Sequence, residues 1–209
     1  MLTSASVIEK VASKLAPGKT PYFMKAHVFK AINTIETYGP IGRVKLSKTL
    51  GLGEGAIRTL IKHLEKEGLV KTSRAGIILT NSGEKLSSNL ESRISKQIQI
   101  PQSSLTIGSF NIAICVKNAA DLVKSGVEQR DAAIKVGAQG ATTLIFNNGK
   151  LKMPLLNESV FKDFQSMCKL LISELAPNEN DVIIIGSAKD KLTAELATIA
   201  ATLETLEAS

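Results

Sequence analysis

Arg58 and Lys62 stand four residues apart in the run EGAIRTLIKHLEKEGL, and Glu54, Gly55 and Thr59 share their side of a helix. Arginine presents a planar fork that matches the two acceptors on the major-groove edge of guanine. Lysine meets a phosphate as a point charge. On the other side Ile57, Ile61 and Leu64 fall three and four apart, the spacing of a buried stripe. Small, polar and basic residues on one face and aliphatic residues on the other suit a helix laid into a DNA groove. Lys45 and Lys48 upstream, and Lys71 and Arg74 downstream, are candidates for flanking phosphates. Solvated charge is the plainer alternative for each. His63 follows Lys62 and reads as a helix-surface or groove residue.

These side chains need elements to hold them. A short helix carrying Val44, Leu46 and Leu50 is expected to stop at Gly51-Leu52-Gly53. A second runs from about Glu54 to Glu67 and stops at Gly68, a residue suited to the left-handed cap. Leu69 to Lys71 and Ile77 to Thr80 then flank Thr72-Ser73-Arg74-Ala75-Gly76, a hairpin with Lys71 and Arg74 at its tip. A further helix over 81–97 aligns Leu86, Leu90 and Ile94, a stripe that a second subunit could cover or that could pack within the chain. Upstream, residues 5–16 predict a helix with Val7, Val11 and Leu15, broken by Pro17-Gly18. Residues 24–38 predict another, with Val28, Ile32 and Ile35, closed by Gly39-Pro40.

The segment LGLGEGAIRTLIKHLEKEGLVKTSRAGIILTNSGEKL resembles the winged helix-turn-helix of bacterial and archaeal transcription regulators. In those families a helix ends in L-x-x-L-x-x-x-G-L-[VI], followed by a hairpin and an L-T-x-x-G helix start. The corresponding stretches here are Leu60 to Val70 and Leu79-Thr80-Asn81-Ser82-Gly83. The resemblance covers about Lys25 to Gln97 and implies duplex DNA as the partner. One departure is that Gly53 and Gly55 flank Glu54 where such proteins often carry a Ser or Thr cap. Charge agrees with the resemblance. Residues 1–100 hold 16 Lys and Arg against seven Glu and no Asp, a net of +9. Residues 101–209 hold 10 Lys and Arg against 12 acids, a net of −2. The positive excess sits with the helix-turn-helix, where phosphates would be met.

At 209 residues the chain has room for two domains, expected at 1–97 and 98–209 with Pro101-Gln102-Ser103-Ser104 as linker. No apolar run approaches a membrane span, and the first residues carry no signal core. Cys115 and Cys168 lie in apolar settings and read as buried free thiols, so a cytoplasmic location is expected. Trp is absent and aromatics are 4%, which argues against base stacking as the main binding mode.

The C-terminal half alternates strand and helix signals. Gln97–Ile100 and Phe110–Lys117 read as strands, and Ala119–Val136 as a helix with an irregularity at Gly126. Thr142–Phe146 and Lys150–Met153 flank Asn147-Asn148-Gly149, a strong hairpin signal. Ser159–Ala176 is helical, Asp181–Ile185 is a buried strand, and Lys191–Glu207 is an Ala-rich helix. The expected fold class is α+β: a winged helix-turn-helix, then a two-layer sandwich with a mainly antiparallel sheet. The stretches GVEQRDAAIKVGAQGATTLIF, NNGKLKMP and DVIIIGSAKDKLTAELATIAATL resemble an archaeal family of uncharacterised proteins joining a winged helix to one such domain. That resemblance implies a sandwich similar to the insertion domain of bacterial aspartyl-tRNA synthetases.

Catalysis is not expected. No CxxC, HExxH or GxxxxGK[ST] pattern occurs, both His residues lie in the first domain, and no metal or cofactor is expected. Gly137 to Ala141 lacks the dinucleotide spacing and reads as a turn. A small-molecule effector would meet Glu128 or Arg130, in the polar run Glu128-Gln129-Arg130-Asp131, or the backbone at Gly186-Ser187. A surface salt-bridge segment and a helix cap are the plainer readings of these two places. The expected function is a DNA-binding transcriptional regulator acting as a homodimer. The alternative is a metabolite-binding protein or enzyme whose winged helix serves assembly.

Overall fold

The computed structural model describes residues 4–13, 23–155 and 164–208. The chain divides into two compact units, Met1–Ser92 and Arg93–Ser209. The first holds α1 (Ser4–Ala12), α2 (Lys25–Tyr38), α3 (Arg43–Leu50), α4 (Glu54–Lys66), β1 (Val70–Ser73), β2 (Gly76–Leu79) and most of α5 (Asn81–Arg93). Ala5, Ile8 and Val11 are the buried face of α1. Val7 is only half-buried, and Leu15 and Pro17-Gly18 fall outside the described residues. Helix α2 buries Val28, Ile32 and Ile35 as their spacing predicts. The Met24 N–H donates to His27 Nδ1 (3.1 Å) at its start. Burial, aided by the Lys30 charge, holds the His27 pKa down at about 4, so the ring is neutral and able to accept.

In α3, Leu46 and Leu50 point inward but Val44 is 72% exposed. Two residues are about 200° around a helix, so Val44 and Leu46 cannot share a face. Helix α5 ends at Arg93 rather than near residue 97. Beyond it the chain joins a sheet instead: Lys117 N–H donates to Arg93 O, Ser95 N–H donates to Cys115 O, and Ile94 bridges Val116. The stripe of Leu86, Leu90 and Ile94 is therefore not a free helical seam. Leu86 and Leu90 are already buried in the single chain, at 6% and 2% exposure, and Ile94 has left the helix.

The second unit holds β3 (Ile98–Ile100), β4 (Phe110–Val116), α6 (Val127–Lys135), β5 (Gly140–Asn147), β6 (Lys150–Lys152), α7 (Phe164–Leu175), β7 (Val182–Ala188) and α8 (Lys191–Glu207). Its sheet runs β3-β4-β7-β5-β6, and every pairing is antiparallel. Asn147 pairs with Lys150, leaving Asn148-Gly149 as a two-residue turn with φ of +51° and +71°. Both residues being left-handed is what an Asn-Gly hairpin turn supplies.

This is the expected α+β class, with one addition. Ala113, Cys115, Leu144, Ile183 and Ile185 pack against Phe164, Met167, Cys168 and Leu171 of α7. Ile112 and Ala188, on the opposite sheet face, pack against Ala133 of α6 and Ala194 and Ala197 of α8. Helices thus cover both faces, a third layer beyond the expected two, and β7 is buried at every position. Two local readings change as well, and a third is untested. Ala119–Val136 is not one helix: a single tight turn at Ala120–Leu122 and an extended Val123 precede Gly126 and α6. Pro101–Ser104 is the loop between β3 and β4, inside the second unit. The expected helix start at Ser159 falls outside the described residues.

Candidate nucleic-acid interface

Helices α3 and α4 are joined by a turn built on Gly51, which takes the left-handed conformation and donates to Lys48 O and Ser47 O. The Ser47 hydroxyl closes the turn by donating to Leu52 O. Helix α4 buries Ile57, Leu60, Ile61 and Leu64. Its other side leaves Glu54, Gly55, Arg58 and Lys62 exposed and Thr59 half-buried. Arg58 Nη2 lies 2.8 Å from Glu54 Oε1, one turn back, and both side chains are mostly in solvent. The Thr59 hydroxyl is turned onto Gly55 O (3.0 Å).

The hairpin is fixed to these helices at two points. Thr72 Oγ1 donates to Glu65 Oε1 (2.6 Å), tying β1 to α4. Ile41, just before α3, exchanges both backbone hydrogen bonds with Ile77 and so adds a short third strand beside β2. Gly76 makes that approach possible. Its φ is +134°, and a Cβ there would lie 2.9 Å from the Ile41 backbone.

Between α4, the start of α3 and the hairpin lies a groove of about 630 Å³. Ile41, Ile61 and Ile77 contribute its apolar lining, and Arg43, Arg58, Lys62 and Glu65 its charges. Three cations against one acid give it a positive field. Helix α3 begins at Gly42 without a side-chain cap, has no acid in its first turn, and carries Arg43 and Lys45 there. Cations at the positive end of a helix oppose its dipole, an arrangement that an incoming anion relieves.

Of the residues predicted from sequence, Arg58 and Lys62 line the groove. Lys48 is exposed on α3, and Lys45 Nζ sits 4.3 Å above the Tyr38 ring centroid. Arg74 is at the hairpin tip, but Lys71 is not. Ser73 pairs with Gly76, so the turn is Arg74-Ala75 alone and Lys71 lies within β1 opposite Ile78. His63 turns away from the groove, its Nδ1 3.0 Å from Val11 O and its ring edge-on to Phe23. Arg43 and Ser73 line the groove and were missed. Two cations in a helix first turn that lacks acids would have pointed to Arg43.

The second unit places its candidates differently. Glu128 and Arg130 are exposed on α6, engaged by the Ser125 hydroxyl and by Asp131. Gly186 and Ser187 are inside β7, not at a strand end. Ser187 is buried and donates to Asn111 Oδ1 (2.7 Å). A Cβ on Gly186 would lie 2.5 Å from Thr198 Oγ1, so this glycine lets α8 pack on the sheet. Both residues leave the effector reading. The Cys115 thiol, next to Asp181, is pushed up to about 12 by burial and that carboxylate. Both cysteines are buried, and neither is in a disulfide. Among the described residues no three metal-ligating side chains cluster, and no helix is long and apolar enough to cross a membrane.

A helix-turn-helix with a tethered hairpin and a cationic groove defines a winged DNA-binding domain. Residues 25–94 match the family described as the CggR N-terminal DNA binding domain, so the first unit is a DNA-binding domain of that type. Over 86 residues the chain is 35% identical to the central glycolytic genes regulator of Priestia megaterium. The match takes in 41% of this chain and 24% of that regulator, so the two share about a quarter of the regulator's length. Residues 107–206 match a domain of unknown function, DUF4443. Among solved structures, the hypothetical protein PH0730 from Pyrococcus horikoshii OT3 is 27% identical with a TM-score of 0.63. That similarity covers 87% of this chain and 98% of the other.

Proposed function

We propose that this chain is a transcriptional regulator that reads duplex DNA with α4 and its hairpin, and that the second domain serves regulation or assembly rather than catalysis. The observation that carries the reading is the groove lined by Arg43, Arg58 and Lys62 beside a recognition-type helix. Arg58 and Lys62 would enter the major groove, with Glu54, Gly55 and Thr59 beside them. Lys45, Lys48, Lys71, Arg43 and Arg74 would hold phosphates. The similarity to the central glycolytic genes regulator supports the same class of function. The domain roles, 1–97 for DNA and 98–209 for sensing or assembly, belong to this proposal, as does the likeness of the second domain to the aspartyl-tRNA synthetase insertion domain. So do a homodimeric state and a cytoplasmic location, the latter supported by two buried thiols outside any disulfide. An effector would meet the second domain at Glu128 and Arg130. Genome-wide mapping of bound DNA, followed by titration of a recovered site against a scrambled duplex at two salt concentrations, tests the reading. Sequence-selective, salt-dependent binding is expected. Absence of DNA affinity together with a tightly held metabolite would favour an assembly role for the winged helix.

A further inference from the structure

A smaller concavity of about 170 Å³ opens at the start of α6, with Gly126, Arg130, Thr143, Met153 and Pro154 among its walls. Thr143 is 4% exposed, and its Oγ1 has no hydrogen-bond partner among the described residues. Its neighbour Thr142 shows the usual solution, donating to Leu105 O at 2.7 Å. A buried hydroxyl left unpaired is costly, and such groups persist where something outside the chain completes them. Gly126 keeps the space over it open. A Cβ at this residue, whose φ is +83°, would lie 3.4 Å from Thr143 Oγ1.

The electrostatics beside the gap favour an anion. Gly126, in its wall, begins α6, so the helix dipole is positive there. Among the described residues Arg130 is the charged one of the lining. Asp131 engages its Nε and Nη2, leaving the rest of the fork unengaged. The carboxylates of Glu128 and Asp131 are exposed, and neither residue lines the gap. We propose that this concavity binds one oxyanion group, a phosphate or a carboxylate, of a small metabolite. Thr143 and Arg130 would be its donors, with the positive end of α6 beside them. Drug-sized ligands occupy about 300–1,000 Å³, so this gap takes the anionic group and a few adjoining atoms. The inference rests on the second domain being a sensor. It does not rest on DNA binding.

Calorimetry and thermal denaturation of the full chain with inorganic phosphate, glycerol phosphate and acetate test it. Saturable stabilisation by at least one of the three is expected, and which anions respond tells phosphate from carboxylate chemistry. Thr143→Val should leave the anion-free melting temperature unchanged or raised, because the unpaired hydroxyl is gone, and should weaken the anion about tenfold. Arg130→Gln, at an exposed position, should weaken it by a similar factor. No saturable response, or a response both variants keep in full, overturns the proposal. So does a lower anion-free melting temperature in Thr143→Val, which would show the hydroxyl satisfied without a ligand. Duplex titration of the same preparations separates the two readings: intact DNA binding without an anion response removes this site alone.

Discussion

Glu54→Gln should make this protein bind DNA more tightly, an outcome opposite to the loss that an interface residue usually shows. In the free chain Glu54 holds Arg58 at 2.8 Å, with the two side chains 77% and 67% exposed. An exposed pair of this kind is worth at most about 0.5 kcal/mol, and Arg58 must give it up to reach a guanine edge. In the proposed complex the Glu54 carboxylate would also face phosphates. At roughly 8 Å in water each repulsion is about 0.5 kcal/mol, cut to about 0.2 by physiological salt. Two nearby phosphates and the released pair sum to about 0.9 kcal/mol, roughly a four- to fivefold gain in affinity on the operator, where Arg58 meets guanine. In an Arg58→Ala background only the repulsion remains, so the gain should fall to about twofold. Fluorescence anisotropy with operator and scrambled duplexes, for wild type, both single variants and the double variant, reads these ratios. Glu54 also opens α4 at its positive end, so Glu54→Gln costs about 0.3–1 kcal/mol of stability as well. Melting curves on the same samples account for that. Weaker operator binding by folded Glu54→Gln, or an equal gain in both backgrounds, would refute the reasoning and make Glu54 a base-reading residue.

Arg58→Ala should cost about 1–3 kcal/mol on the operator and relax its sequence preference, whereas Lys71→Ala should weaken all duplexes alike and lower the salt slope by about one; competition titrations separate the two. His27 is disfavoured as a cation in the folded chain, with its pKa lowered from 6.5 to about 4. Its contribution is therefore full above pH 6.5 and is lost as pH falls toward 4, by up to about 3 kcal/mol, and denaturant unfolding should show a shallower pH slope in His27→Gln. Gly186→Ala would drive a methyl to 2.6 Å from Thr198 N and 2.8 Å from Ala194 O, so unfolding should show a loss of about 1–3 kcal/mol or more. Light scattering at micromolar concentration should return twice the chain mass, and a monomer with and without DNA would count against pairing.

The first unit was the more legible in sequence, because its elements answer to local rules. Ile57, Ile61 and Leu64 fall on one face by helical geometry, and Gly51 and Gly68 end their helices because the next step needs positive φ. Asn148-Gly149 likewise sets its hairpin without outside help. What went astray depended on partners distant in sequence. Residues 94–97 carry an acceptable helical pattern, yet bonds to Cys115 and Lys117 draw the chain into a sheet. The run from Ala119 reads as helix until Val123 adopts an extended conformation.

The candidate sites divide in the same way. Arg58 and Lys62 could be named from sequence, because one helical turn places them side by side whatever else the chain does. Arg43 and Ser73 join them only because the Ile41–Ile77 bridge brings the start of α3 against the hairpin. Gly186 and Ser187 looked like a strand end, and only pairing with β4 and β5 shows them buried in mid-sheet. Thr143 carried no signal at all, since a threonine in a strand is ordinary. Its hydroxyl becomes notable when α6 closes over β5 and leaves it without a partner. Periodicity and turn chemistry act over a few residues, so one sequence suffices to determine helices, caps and the recognition face. Grooves, burial and unpaired polar atoms arise where segments far apart in the chain meet, and those the tertiary structure alone decided.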